Sequence, residues 1–329
     1  MALDAWELAR DGPTSSITGG GAISELERRL AAYCGVRFAL GLSSGTLALR
    51  TALLAVGVRS TAEVVIPAFD WPAAAAATLS LDARPVPADV GAGSLHVSAE
   101  AVERVLTPRT KAVVVTHLAG VPAETFRLRA VCKAHRLPLV EDASQALGAR
   151  DCRRPVGAIG DVGIFSLGPG KLLDVGEGGA LVTEDERLFQ AAVRATQHPT
   201  RQLLAGGGIP PHLLGLSARL HPLAAVLGLR AFEEIDIELA RRRRQALEIR
   251  SRAESIEGLV IPAEQDGVRF SWPCVPALAG AEARIRVRQA GLGAAPLGAH
   301  DISALVGRNE APHTRDAAEF ACRLFIQEK

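Results

Sequence analysis

The chain has 329 residues, 48% apolar and 22% charged, which is enough to bury a sizeable core and suits one large and one small domain. Its 37 Lys and Arg nearly cancel its 36 Asp and Glu, so no net field points to nucleic acid or to an acidic membrane. The five cysteines (Cys34, Cys132, Cys152, Cys274, Cys322) are scattered without a CxxC pair and fit reduced thiols in a reducing cytoplasm, rather than zinc ligands or a disulfide frame.

The opening, Met1-Ala2-Leu3-Asp4-Ala5-Trp6-Glu7, has early acids and no long apolar core, so it does not read as a signal peptide. Gly19-Gly20-Gly21 is not GxGxxG and follows no strand. A GxxxxGK[ST] loop, an HExxH and a GxSxG are also missing, and the eight histidines show no ligand spacing, so no metal is expected. His117 and His135 read as strand-end and helix-surface residues. The longest apolar stretch, Ala73 to Leu81, is too short and interrupted to span a bilayer. A cytoplasmic protein without a membrane partner is expected.

Short β-branched runs then alternate with helical patterns. Val64-Val65-Ile66 ends at Pro67, amphipathic Ala99 to Leu106 follows, and Ala112-Val113-Val114-Val115 leads into Thr116-His117. A helix over Arg127 to His135 separates this from Leu137-Pro138-Leu139-Val140, which ends at Glu141-Asp142. Gly163-Ile164-Phe165-Ser166 and Gly179-Ala180-Leu181-Val182-Thr183 complete the series. This alternation predicts a mainly parallel sheet with helices on both faces, whose carboxyl strand ends build sites. Thr200 to Pro211 reads as a mobile Gly/Pro-rich loop and Leu220 to Ala253 as one long helix. A smaller C-terminal part follows, with a short strand over Val268 to Trp272; the division is expected at 1–236 and 237–329. The run Arg241-Arg242-Arg243-Arg244 reads as a solvated helix face, with a phosphate-binding patch as the alternative.

Three segments could carry chemistry. Ser43-Ser44-Gly45-Thr46-Leu47-Ala48-Leu49 reads as a strand-end turn opening a helix, whose N–H groups and hydroxyls suit a phosphate; a simple N-cap is the plain alternative. In Val140-Glu141-Asp142-Ala143-Ser144-Gln145-Ala146, acids end an apolar strand and must be hydrated, capping or paired with a cation. In Phe165-Ser166-Leu167-Gly168-Pro169-Gly170-Lys171, followed by Gly176-Glu177-Gly178-Gly179, a lysine stands between glycine-rich turns. There it can be desolvated, which lowers its pKa and makes it a nucleophile toward a carbonyl.

The order of these segments resembles the DegT/DnrJ/EryC1/StrS family of pyridoxal-phosphate (PLP) sugar aminotransferases, from about Gly21 to Arg244. Further matching positions are Tyr33-Cys34-Gly35-Val36, Ile66-Pro67-Ala68-Phe69, Pro85-Val86 to Asp89, His117-Leu118-Ala119-Gly120, Gly148-Ala149 and Ser217-Ala218-Arg219-Leu220. The resemblance implies the aspartate-aminotransferase-like fold (PLP fold type I): a large domain with a mainly parallel sheet and a small, shortened α+β C-terminal domain. It implies that Lys171 holds PLP as a Schiff base and later shuttles a proton, and that Asp142 keeps the pyridine nitrogen protonated. It places Gln145 near the ring's phenolate oxygen, Gly45, Thr46 and Ser166 around the phosphate, and Trp71 stacked on the ring.

Ser217 stands where relatives often have an Asn that reaches the neighbouring subunit's cofactor phosphate, so a homodimer with a shared site is implied. Gly168-Pro169-Gly170 has no bulky side chains where relatives do, and the chain reads as shorter than relatives at Leu324-Phe325-Ile326. The implied activity is amino transfer from L-glutamate or L-glutamine to a keto-sugar, nucleotide-linked in the favoured form, or to a keto-cyclitol, in natural-product or cell-surface sugar biosynthesis. The rivals are PLP chemistry such as dehydration, against which Lys171 speaks because that branch replaces the lysine with histidine, and a non-catalytic PLP-fold regulator or partner subunit.

Overall fold

In the computed structural model, residues 17–205, 215–307 and 311–326 are described; Met1 to Glu7 lies outside them. Seven strands form the central sheet: β1 (Phe38–Leu42), β2 (Glu63–Pro67), β3 (Arg84–Ala88), β4 (Thr110–Thr116), β5 (Leu139–Asp142), β6 (Val162–Ser166) and β7 (Gly179–Thr183). Their spatial order is β1-β7-β6-β5-β4-β2-β3. All neighbours run parallel except β7, which is antiparallel to both β1 and β6.

Every residue of β2 and β7 is buried, as expected where helices cover both faces and strands become continuous apolar runs. Alternate residues feed opposite cores. Val64 and Ile66 join Leu40, Leu42, Val114, Val140 and Ile164 on one face. Val65 joins Val86, Val113, Val115 and Leu139 on the other.

The helices follow from caps and faces. Helix α1 (Ala22–Cys34) buries Ile23, Leu26 and Leu30 and stops at Gly35, whose φ of 68° is a left-handed cap. Helix α2 (Gly45–Ala55) starts at Ser44, whose side chain accepts from Leu47 N–H. Helix α3 (Ala73–Leu79) takes up most of the apolar stretch Ala73 to Leu81. The expected amphipathic stretches form α4 (Ala99–Val105) and α5 (Thr125–Ala134), and α6 (Glu186–Thr196) is capped by Asp185.

Three expectations need correction. Part of the region read as a mobile loop is helical: α7 (Pro199–Leu204) starts with Pro at its first turn and His198 as N-cap. The rest of that reading, from 206 to 211, lies outside the described residues. The long helix over Leu220 to Ala253 is two helices, α8 (Pro222–Glu233) and α9 (Ile235–Ala253). They break at Glu234, where φ of −104° and ψ of 6° leave the helical range. The break lets Ile235 enter the large core while Ala246, Ile249 and Ala253 pack into a separate one.

The third correction is Val268 to Trp272, which is no strand. It runs as a loop with one isolated bridge, Arg269 to Arg150, and Trp272 takes a positive φ of 50°. Phe270 and Trp272 use this path to fill the smaller core, their rings 4.9 Å apart. That core lies against a second, antiparallel sheet of β8 (Leu259–Val260), β9 (Val275–Ala279), β10 (Leu292–Pro296) and β11 (Ala321–Ile326), in the order β8-β9-β11-β10.

The arginine run is partly tied down. Arg241 and Arg242 both bond Glu238 on their own helix, while Arg243 reaches Glu264. Arg244 is exposed.

Candidate active site

Strands β4, β5 and β6 end side by side, in register at Thr116, Asp142 and Ile164. The N-terminus of α2 and the turn after β6 close on the same point. They enclose a cavity of about 360 Å³ whose lining includes Gly45, Thr46, Asp142, Ser166 and Lys171. Trp71 and Gln145 line it too, so seven of the eight residues singled out in the sequence share one cavity. The eighth, Ser217, is exposed and outside that lining. Its neighbours Ala218 and Arg219 run beside the end of β1, with Ser43 N–H donating to the Ala218 carbonyl at 3.0 Å and Arg219 bridging Leu42.

The walls divide by charge. On one side is the first turn of α2, where Ser44 satisfies Leu47 N–H and the earlier N–H groups of Gly45 and Thr46 border the cavity. With the hydroxyls of Thr46 and Ser166 they form a donor cradle for an anion. It depends on backbone closeness: a Cβ on Gly45 would lie 2.9 Å from Ser166 Cβ, and one on Gly179 2.3 Å from the Ser44 carbonyl oxygen.

On the other side is Asp142, 6% exposed. Burial pushes its carboxyl up, opposed by hydrogen bonds from Ser144, whose N–H is 2.9 Å from Oδ1, and then by the charge of Lys171. Lys171 is half-buried, and its amine is lowered by burial, against the pull of Asp142 and with the help of the Arg242 charge. A lysine lowered in this way has more of the neutral, nucleophilic form.

Gln145 is held through its Oε1, which accepts Ala119 N–H at 2.7 Å and leaves its NH2 as a donor. Ala119 holds a left-handed φ of 55° to make this contact. The Trp71 indole is 56% exposed, and its ring lies 6.0 Å from that of His300.

Several residues here had no separate signal in the sequence reading. Asp70, 1% exposed, lines the cavity beside Trp71, as do Thr116 and Ser144. Asp70 follows Pro67-Ala68-Phe69, and an acid just beyond a buried apolar strand was the available clue. Leu297, Gly298 and Ala299 arrive from the C-terminal part, brought in by a two-residue pairing of His300–Asp301 with Phe69–Asp70. Glu141 points away from the cavity chemistry: it is fully buried, bonded to His117 and to the N–H groups of Gly157, Ile159 and Gly160. His117 is therefore a buried structural partner rather than a plain strand-end residue.

The sequence profile of the DegT/DnrJ/EryC1/StrS aminotransferase family matches residues 8–295. The chain belongs to this family. It is 38% identical over 260 residues to the L-glutamine:2-deoxy-scyllo-inosose aminotransferase of Streptoalloteichus tenebrarius, covering 74% of this chain and 61% of that one. It is 34% identical to the GDP-perosamine synthase of Caulobacter vibrioides, covering 68% and 59%. The aligned part thus spans about three fifths of the length of these curated relatives. Among solved structures it resembles DesI, determined in the presence of its TDP-sugar product, with a TM-score of 0.83 and 27% identity over 98% of this chain and 84% of DesI. This family member has the fold expected of it, a mixed α/β structure with a mostly parallel sheet between helices. No helix among the described residues is long and apolar enough to cross a membrane.

Proposed function

We propose that this chain is a PLP-dependent aminotransferase that moves an amino group from L-glutamine or L-glutamate to a keto-cyclitol or a keto-sugar. The observation that carries the reading is the arrangement around one cavity: an anion cradle at Gly45, Thr46 and Ser166, a buried carboxylate at Asp142, and a half-buried amine at Lys171. This donor set fits PLP part by part, a dianionic phosphate, a ring nitrogen that needs an anion, and a carbonyl that needs an amine. PLP, when bound, supplies the electron sink that makes a carbon–hydrogen bond beside nitrogen acidic.

The protein's residues then divide the work. Asp142 holds a proton on the ring nitrogen, and its burial makes that charge pair stronger than it would be in water. Gln145, with its Oε1 taken by Ala119 N–H, would offer its NH2 to the ring oxygen. Lys171 would hold the cofactor's carbonyl carbon through its amine, and its Nζ would serve as the base and acid that moves a proton at the substrate's α-carbon. Trp71, on the cavity lining, would cover one face of the ring and keep water from it. The same residues would serve the half-reaction with the keto acceptor.

The acceptor class is supported by the relatives, among them an inosose aminotransferase, a perosamine synthase and a protein with a TDP-sugar product. A homodimer is part of the proposal, with Ser217 and Arg219 of each chain serving the other's site. So is the division into domains at 1–236 and 237–329, which falls in the first turn of α9. The deciding experiment adds L-glutamine, L-glutamate and control amino acids to PLP-loaded protein. One of the first two should bleach the visible cofactor band, and a keto-cyclitol or nucleotide keto-sugar should restore it; a band that no amino donor changes overturns the proposal.

A further inference from the structure

Asp70 is the one buried carboxyl lining the cavity that the functional reading leaves without a role. It is 1% exposed and its two partners are both neutral: Trp71 N–H, 2.7 Å from Oδ1, and the Thr116 hydroxyl, 2.6 Å from Oδ2. Thr116 is in register with Asp142 on the adjacent parallel strand, so the two acids flank one threonine at the cavity floor.

We propose that Asp70 occupies the cofactor cavity as a neutral carboxylic acid, and that through Thr116 and Trp71 it is a positioning residue for Asp142 and for the aromatic cover. Two carboxylates sharing a buried site cannot both ionise cheaply, so such a pair holds one proton. The surroundings decide where that proton sits. Asp142 receives Ser144 N–H and feels Lys171, whereas Asp70 is exposed to the like charge of Asp142. Burial and that neighbouring charge, in this order, push the Asp70 carboxyl well up.

The other charged or titratable groups nearby do not relieve it. Glu177 borders the same cavity and is acidic. On the paired strand, His300 packs its ring toward Trp71, and Asp301 is occupied by Ser303 and Ala304 N–H. His117 follows Thr116, but its ring bonds Glu141 and Ala123.

In acid form Asp70 carries the hydrogen of the bond to Thr116. The Thr116 hydroxyl is then free to donate toward Asp142, its partner in register, which stays the one buried anion of the cavity. An ionised Asp70 would add a second negative charge and compete for the positive charge of the ring nitrogen. The role rests on the PLP reading, but the protonation of Asp70 can be read without cofactor.

The test is difference infrared spectroscopy of the whole protein at neutral pH, wild type minus Asp70→Asn, with and without PLP. The expected result is a protonated-carboxyl C=O band, shifted in deuterated water, that is lost in the variant in both states. Loss of ionised-carboxylate bands instead overturns the proposal. For positioning, Asp70→Asn should keep PLP affinity within about threefold, because an amide retains both hydrogen-bond positions. Asp70→Ala should weaken it about tenfold or more, because Trp71 N–H and Thr116 lose their partner. Equal affinities for the Asn and Ala variants would remove the positioning role even where PLP binds normally.

Discussion

His117 Nε2 lies 3.0 Å from Glu141 Oε2, and neither side chain has exposed surface. Ala123 N–H donates to His117 Nδ1 at 3.1 Å, so the ring's own hydrogen sits on Nε2 and points at the carboxylate. Burial would raise the Glu141 carboxyl, but this bond and the N–H groups of Gly160 and Gly157 hold it below its usual range. The residue beside Asp142 thus staples β5 to the turn before β6, and it fixes the backbone from which Asp142 projects.

Glu141→Ala should therefore destabilise the fold by roughly 3 kcal/mol or more, since several buried donors lose their acceptor together. Denaturant unfolding of wild type and variant checks this. The sign with pH follows from the lowered carboxyl: its stabilisation is complete above the unfolded value near 4.5 and is lost as pH falls through the lower folded value. The stability gap between the two proteins should accordingly close on acidification, and a gap that widens would contradict the assignment.

Lys171 should be the residue that holds PLP. Borohydride treatment of the loaded protein, followed by peptide mapping, should find the adduct on Lys171. Lys171→Ala should lose amino transfer by roughly 10⁴-fold, at the upper end for a positioned acid–base group. An adduct on another lysine would move the catalytic role there.

Asp142→Asn should still bind PLP but slow the half-reaction with the amino donor about a hundredfold or more, near 3 kcal/mol in barrier. Stopped-flow absorbance at the cofactor band measures it. A near-normal rate would assign the ring nitrogen to another group.

Gly45→Ala should damage the anion cradle rather than the fold. Its Cβ would press on Ser166 at 2.9 Å and shift the first turn of α2 away from β6. PLP affinity by equilibrium dialysis should drop about tenfold, as for a lost charge-assisted hydrogen bond. An unchanged affinity would place the phosphate elsewhere.

The shared site can be tested by mixing. A Lys171→Ala chain and a chain altered at Ser217 and Arg219 should each be nearly inactive, yet their heterodimers would contain one site with both defects and one intact site. Activity should partly return on mixing. A strictly monomeric protein with full activity in sizing and scattering measurements would refute the arrangement.

Much of the fold and most of the cavity are local properties of the chain. The β-branched runs at Val64, Val113 and Ile164 become buried strands, because period and branching suit a sheet covered on both faces. Ser44 caps a helix as its hydroxyl requires, and Lys171 follows a turn of residues with little or no side chain. Long-range packing decided the rest. Helical periodicity runs through Glu234 without a sign of the break that sends Ile235 and Ala246 into different cores. Trp272 left its strand-like pattern because filling the small core outweighed a ladder bond. Asp70 is only an acid after a strand until the placing of β2 beside β4, and of β4 beside β5, brings it to Thr116 and Asp142. Local composition is set by neighbours in the chain, whereas a carboxyl's charge depends on what the fold packs around it.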